Sequence, residues 1–265
     1  MNTELEFTGE RMVPAAAIPE PGSMNMFWEH VERYRFACAR AAGKRVLDIA
    51  CGEGYGSAAL SRAGARSLVG VDIAAQAVEH ARQRYGIDAR IGDAESIPVA
   101  DKSIDLLVSF ETIEHVPNPA AFLDEALRVL DENGMLVIST PNLNVYRHGL
   151  DHNPFHCSEM PVEEFEKLLR ERFGHVELYG QSLPVPRWME VRGLRRFCRI
   201  AGNFFNPERT FAAAERYGSG VVELCLTRTS RLGSFFVLNT VRRMPPAQLK
   251  KCCYVVAVAS QPRRA

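Results

Sequence analysis

The stretch of this chain best suited to binding chemistry is a hydrophobic run that meets an acid and then turns through small residues: Val46-Leu-Asp-Ile-Ala-Cys-Gly-Glu-Gly-Tyr-Gly56. Small residues let the backbone approach a ligand closely, and the amides that open the following helix favour a negative group such as a carboxylate. Asp72 closes the next hydrophobic run, where its carboxylate can accept both hydroxyl hydrogens of a ribose. Asp93, in Ile91-Gly-Asp-Ala-Glu-Ser-Ile-Pro98, adds a third acid where an adenine amino group could be met. Any one of these acids could simply cap a helix or a turn. Three in register with a glycine turn point to a ligand.

Two histidines are placed to move a proton. His115, in Glu114-His115-Val116, and His156, in Asn153-Pro-Phe-His156, each follow a hydrophobic run that ends near the same region. Either could take the proton of an alcohol as it attacks. Either could equally order its own loop through a hydrogen bond. His152, His156 and Cys157 sit close in sequence but lack another acidic or thiol ligand at helical spacing, so no metal site is expected.

To bring these residues together the chain needs strands that end at one edge. Between Lys44 and Thr140, β-branched runs alternate with amphipathic stretches, the pattern of a parallel sheet covered on both faces. Strands are predicted at Arg45–Ala50, Ser67–Asp72, Asp88–Ile91, Ile104–Phe110 and Met135–Thr140, and helices at Tyr55–Arg62, Ala74–Tyr85 and Pro119–Leu130. Asn118-Pro119 should open the last helix as cap and first-turn proline, with Ala121, Phe122, Ala126, Val129 and Leu130 as its buried stripe. Asp131-Glu-Asn-Gly134 should close it, with Gly134 taking a positive φ. A helix at Met26–Ala42 with Phe27, Val31, Tyr34 and Cys38 on one face precedes the sheet and is expected to act as a lid. A helix at Pro161–Phe173 and strands at His175–Gln181 and Cys252–Ser260 follow it.

Composition narrows the classes. The 265 residues are 46% apolar, enough for a substantial core, and 32 basic residues balance 32 acidic ones. With no net field, nucleic acid is not an expected partner. Met1 to Ile18 resembles neither a secretory nor a transit segment, and no run approaches the roughly 20 apolar residues of a membrane span. A cytoplasmic location is the expectation. Seven cysteines without a C-x-x-C pair read as reduced, mostly buried thiols.

Together, the glycine turn and acids resemble class I S-adenosylmethionine-dependent methyltransferases over roughly Met26 to Gln181, in the order that family shows. The resemblance implies an α/β, doubly wound Rossmann-like sheet of seven strands, five parallel plus a final antiparallel pair, and S-adenosyl-L-methionine as cofactor. It also implies roles. Asp48 would help hold the methionine amino group, Ala50 and Gly52 would line the methionine and ribose, Asp72 would bind the ribose hydroxyls, and Ile73 beside it would belong to the cofactor site. Asp93 and Ala94 would lie at the adenine, and Phe110 beside the reaction centre. Ala50 replaces the glycine commonest at its position.

Phe7-Thr-Gly-Glu-Arg-Met-Val-Pro14, His30-Val-Glu-Arg33-Tyr34 and the Asn-Pro-Phe-His stretch resemble a subset associated with glycosyltransferases and surface-polysaccharide assembly. That implies Tyr34 capping the methionine end and a sugar or glycan hydroxyl as acceptor. A quinone or other metabolite is the alternative acceptor. An inactive scaffold or a nicotinamide-dependent oxidoreductase is the alternative class, the latter disfavoured because no Tyr-x-x-x-Lys pair exists. The expected organisation is an N-terminal segment and lid (1–43), a cofactor core (44–181), an acceptor-binding insertion (182–251) and a final strand with tail (252–265). Within the insertion, the basic stretch Arg187–Ile200 could rest on a membrane or lipid-linked substrate, or be a solvated helix face.

Overall fold

A computed structural model describes residues 21–146, 155–181 and 241–263. Its elements run α1 (Pro21–Cys38), β1 (Arg45–Ile49), α2 (Tyr55–Arg62), β2 (Ser67–Asp72), α3 (Ala75–Tyr85), β3 (Asp88–Ile91), β4 (Ile104–Phe110) and α4 (Pro119–Val129). They continue with β5 (Leu130–Pro141), α5 (Leu143–Tyr146), α6 (Val162–Arg172), β6 (Phe173–Gln181), β7 (Arg242–Arg243), α7 (Pro246–Leu249) and β8 (Tyr254–Pro262). One sheet holds all the strands in the order β3-β2-β1-β4-β5-β8-β6-β7. β1 to β5 pair in parallel, while β8 runs antiparallel between β5 and β6.

Alternation along the strands divides the core between the two faces. Leu47, Ile49, Leu107, Leu136, Ile138, Val255 and Ala257 point to one side and bury against Phe122, Leu123 and Ala126 of α4 and Phe165 and Leu169 of α6. Val46, Leu106, Val108, Phe110, Val137, Val256 and Val258 point to the other, beneath Val31 and Tyr34 of α1 and Tyr55 and Leu60 of α2. This period of two is what a sheet covered on both faces requires. It also fixes the direction of Asp48, which shares a face with Val46 and so points under α1 and α2.

Several details differ from the sequence-based expectation, beginning with α1, which runs Pro21–Cys38 rather than Met26–Ala42. The sheet has eight strands rather than seven, because Arg242–Arg243, inside the expected insertion, adds a short edge strand beside Tyr179 and Gly180. No hydrophobic alternation marks that pair, so pattern could not reveal it. The fifth strand begins at Leu130 rather than Met135, since α4 passes directly into β5 with a register shift between Ile104 and Leu106. Gly134 lies within that bulged strand and is not among the positive-φ residues. What requires glycine there is space, because a Cβ would meet the backbone of Asp131 at 2.9 Å.

Asn118 does cap α4, its side chain accepting from the Ala121 amide at 3.2 Å, with Pro119 in the first turn. Phe27 and the sequence 182–240, which includes Arg187–Ile200, lie outside the residues whose side chains are described. Among the described residues no helix is long and apolar enough to cross a membrane, and Cys38, Cys51, Cys157, Cys252 and Cys253 are thiols.

Gly56 sits where α2 passes under α1, and a Cβ there would overlap the Tyr34 ring. In an open helix, Gly→Ala stabilises by about 1 kcal/mol. Here overpacking should win, and Gly56→Ala is expected to destabilise the chain by about 2 kcal/mol in chemical denaturation. An increase in stability would show that Tyr34 does not pack on this position.

Candidate active site

The carboxyl edge of the sheet gathers most of the expected residues. The turn after β1 is left-handed at Ala50 (φ 58), Gly52 (φ 54) and Gly54 (φ 90), which opens α2. For Ala50 this conformation costs about 1 kcal/mol relative to glycine. Asp72, 8% exposed at the end of β2, holds the turn in place. Its Oδ2 accepts from the Gly52 amide at 2.8 Å and its Oδ1 from the Ala74 amide at 2.9 Å. An ionised carboxylate has about four acceptor directions, so both oxygens keep capacity for ribose hydroxyls. The role of cap and the role of ligand are compatible here.

Asp48 lies deeper. It is fully buried, accepting from Ser57 Oγ at 2.5 Å and from Tyr34 Oη at 3.3 Å to both oxygens. Burial pushes its carboxyl up to about 7, with Asp72 adding to the rise and the bonds from Ser57 and Tyr34 opposing it. Burial, then the charge of Asp48, holds the Tyr34 phenol well above its ordinary value. The Tyr34 ring is fixed edge-on between Tyr55, at 5.6 Å, and Phe110, at 5.1 Å between centroids. Phe110 is thus a buried backing for Tyr34.

Farther along the edge, Asp93 is exposed and accepts from the Glu95 amide at 2.9 Å, while Ala94 is half-buried against the core. The loop beyond them is held by Arg128, which donates to the carbonyls of Ile97 at 2.8 Å and Val99 at 2.9 Å, and by Glu125, which accepts from the Ile97 amide. Ile73 is 72% exposed directly after Asp72.

Above the ends of β4 and β5 the two histidines, separate alternatives in the sequence, come together. Their rings are 4.7 Å apart and nearly perpendicular. His115 Nδ1 lies 3.1 Å from the Phe155 carbonyl and His156 Nδ1 2.7 Å from Glu159 Oε1. Glu114 is wholly buried beside them; its Oε2 accepts from Thr140 at 3.4 Å, and its Oε1 has no hydrogen-bond partner among the described residues. Burial and then the charge of Glu111 push its carboxyl well above the usual range.

Glu111 went unrecognised in the sequence, and Arg33 was named there only as part of the His30-to-Tyr34 motif, without a role of its own. Glu111 takes a left-handed φ of 51 and accepts from Ser139 Oγ at 2.6 Å. Arg33, buried, donates to Gln181 at 2.8 Å and lies 4.6 Å from the centre of the Tyr254 ring. The spacing Glu111-x-x-Glu114-His115 was the available signal for the acidic pair. His152, Asn153 and Pro154 lie outside the described residues, as does Phe7–Pro14.

A family model described as a methyltransferase domain matches residues 47–138, from β1 into β5. A protein of Mycolicibacterium smegmatis named a probable S-adenosylmethionine-dependent methyltransferase is 37% identical over 176 residues, 65% of this chain and 66% of that one. A demethylmenaquinone methyltransferase of Clavibacter sepedonicus is 38% identical over 173 residues, 63% of this chain and 68% of its own. The chain spans 60 to 66% of the length of the first mycobacterial relatives. In fold, an S-adenosylmethionine-dependent methyltransferase of Thermotoga maritima superposes with a TM-score of 0.56 at 18% identity, covering 91% of this chain and 97% of that one. The glycine turn, the acid at the end of β2 and these relatives agree, and the chain belongs to the class I S-adenosylmethionine-dependent methyltransferases.

Proposed function

We propose that this protein transfers a methyl group from S-adenosylmethionine to an oxygen of a small acceptor, with a quinol ring the favoured acceptor class. The observation that carries the donor half is Asp72, which fastens the left-handed turn at Gly52 yet keeps lone pairs for a ribose. Ala50 and Gly52 would pass the methionine and ribose along bare backbone, Ile73 and Ala94 would flank the adenine, and Asp93 would meet its amino group. Asp48 would neutralise the methionine ammonium from below. Tyr34, on α1, would cap that end as part of a lid.

When bound, the cofactor supplies an electrophilic methyl group on a sulfonium. The chain's part is alignment and proton removal. With the cofactor bound, the acceptor oxygen would bond to the methyl carbon as the carbon–sulfur bond broke, and Nε2 of His115 or His156 would take the acceptor's proton. Phe110 and Tyr34 keep water from the approach. The quinol reading is supported by the kinship with a ubiquinone biosynthesis O-methyltransferase of Parvibaculum lavamentivorans, 37% identical over 110 residues, 40% of this chain and 43% of that one. A sugar hydroxyl remains the second reading, favoured by the His30-to-Tyr34 and Phe155-His156 motifs.

Asp72→Asn should weaken S-adenosylhomocysteine binding by about 10- to 100-fold in calorimetry, the size of a lost hydrogen bond to a charged group. Unchanged affinity would remove Asp72 from the donor site. Acceptor class is read from S-adenosylhomocysteine release with panels of hydroquinones and saccharides. Turnover confined to saccharides would replace the quinol reading, and none with either panel would sink both.

Asp48 adds a pH-dependent test. Its folded-state pKa of about 7 lies above the unfolded value of 3.8, so its contribution to stability is full below the latter and lost as pH rises through the former. Asp48→Asn should therefore stabilise the ligand-free chain at pH 8 by about 1–3 kcal/mol, with the gain vanishing by pH 4, while weakening S-adenosylhomocysteine binding. Equal destabilisation at both pH values would show that Asp48 is not a strained buried acid.

A further inference from the structure

We infer that Glu114, His115 and His156 form a binding site for a divalent transition-metal cation, facing the acceptor. The three residues each offer a ligand atom, and these atoms lie within 4.8 Å of one another. Metal–ligand bonds of about 2.0–2.1 Å in a tetrahedral arrangement place ligand atoms about 3.3 Å apart, so modest side-chain rotation closes the set.

The surroundings resemble those of a metal site. Phe155 offers His115 a carbonyl, which can only accept, so Nδ1 of His115 carries the proton and Nε2 the lone pair. Glu159 sets the same tautomer on His156 through its carboxylate. A histidine that donates one ring N–H to a carbonyl or carboxylate and coordinates through the other nitrogen is the usual pattern around bound metals. The Glu114 oxygen without a partner is the second, independent observation. A buried carboxylate oxygen that no donor reaches needs an explanation, and a cation supplies one.

The two ligand-bearing segments are also locked together. The Ser158 amide donates to the Glu114 carbonyl at 2.9 Å, and Ser158 Oγ donates to the Val116 carbonyl at 2.8 Å. Ligand placement therefore does not depend on one mobile loop. Two imidazoles with one carboxylate favour zinc, cobalt, iron or manganese over magnesium or calcium. Three protein ligands leave positions open for water or for an acceptor oxygen.

The catalytic meaning rests on the proposed methyl transfer: with the cation bound, the imidazole lone pairs are spent on it, and an acceptor hydroxyl on the cation would give its proton to solvent and attack as the oxyanion. A ring with two adjacent oxygens would chelate. Metal binding itself does not rest on that reading.

The test titrates Zn2+ by calorimetry, and Co2+ by visible absorption, into chelator-treated full-length chain. One equivalent should bind, and His115→Asn, His156→Asn and Glu114→Gln should each weaken binding at least 10-fold. Glu159→Gln should weaken it by about 10- to 100-fold, as an outer partner does. Cys157→Ser, which removes the exposed thiol nearby, should leave it unchanged. S-adenosylhomocysteine affinity is measured on the same samples and should be retained throughout, separating metal loss from misfolding and from failure of the donor reading. No Zn2+ or Co2+ uptake by the unmutated chain at millimolar metal, full affinity in the histidine variants, or loss of uptake in Cys157→Ser would each overturn the site.

Discussion

Two hydrogen bonds from backbone amides to Asp72 hold the site's architecture. Gly52 belongs to the turn after β1 and Ala74 to the turn after β2, and one carboxylate bridges them. The bridge is available because β1 and β2 run parallel and in register, with Ile49 opposite Val71. Strands that end level deliver their turns to the same edge, and the acid ties those turns into a single rim. Without it, three left-handed residues in one short loop would have little to oppose their relaxation.

Conformational and electrostatic strain concentrate along that rim. Ala50 and Glu111 are non-glycine residues in left-handed backbone, each just after a central strand. Asp48 and Glu114 are wholly buried acids on the segments following or ending those same strands. Such costs persist where the surrounding packing overdetermines them, and they cluster at functional sites. In this chain the packing comes from the Tyr34–Phe110–Tyr55 rings on one side and the Ser139–Glu111 bond on the other.

Much of the cofactor half was legible because it is local. β2, β3 and β4, and α2, have the bounds that hydrophobic periodicity implied, and Asn118 caps as its type predicts. What escaped was non-local or unpatterned. Arg242–Arg243 pairs with β6 across a long connection and carries no alternation. The early start of β5 depends on a bulge against β4, which single-strand periodicity cannot register. His115 and His156 are distant in sequence, so their meeting required the fold. Glu114 was named in the sequence only as the neighbour of His115, and its burial is a property of the fold. Asp72 stood out by its type and its place at a strand end, whereas the roles expected of Asp48 and Phe110 came from the family resemblance, and only geometry showed that Phe110 supports Tyr34 from behind.

The position of β8 has a consequence for how such a chain can change over time. Its latest-arriving strand lies in the interior of the sheet, between β5 and β6, rather than at an edge. β6 and β8 are separated by residues 182–253 in the chain, yet they pair along nearly their whole length. Loop-closure entropy grows only with the logarithm of length, so doubling such a connection costs about 0.6 kcal/mol. The segment between these strands can therefore be lengthened, shortened or exchanged while the pairing that completes the sheet is preserved. A lineage could vary that segment widely and still inherit the same rim.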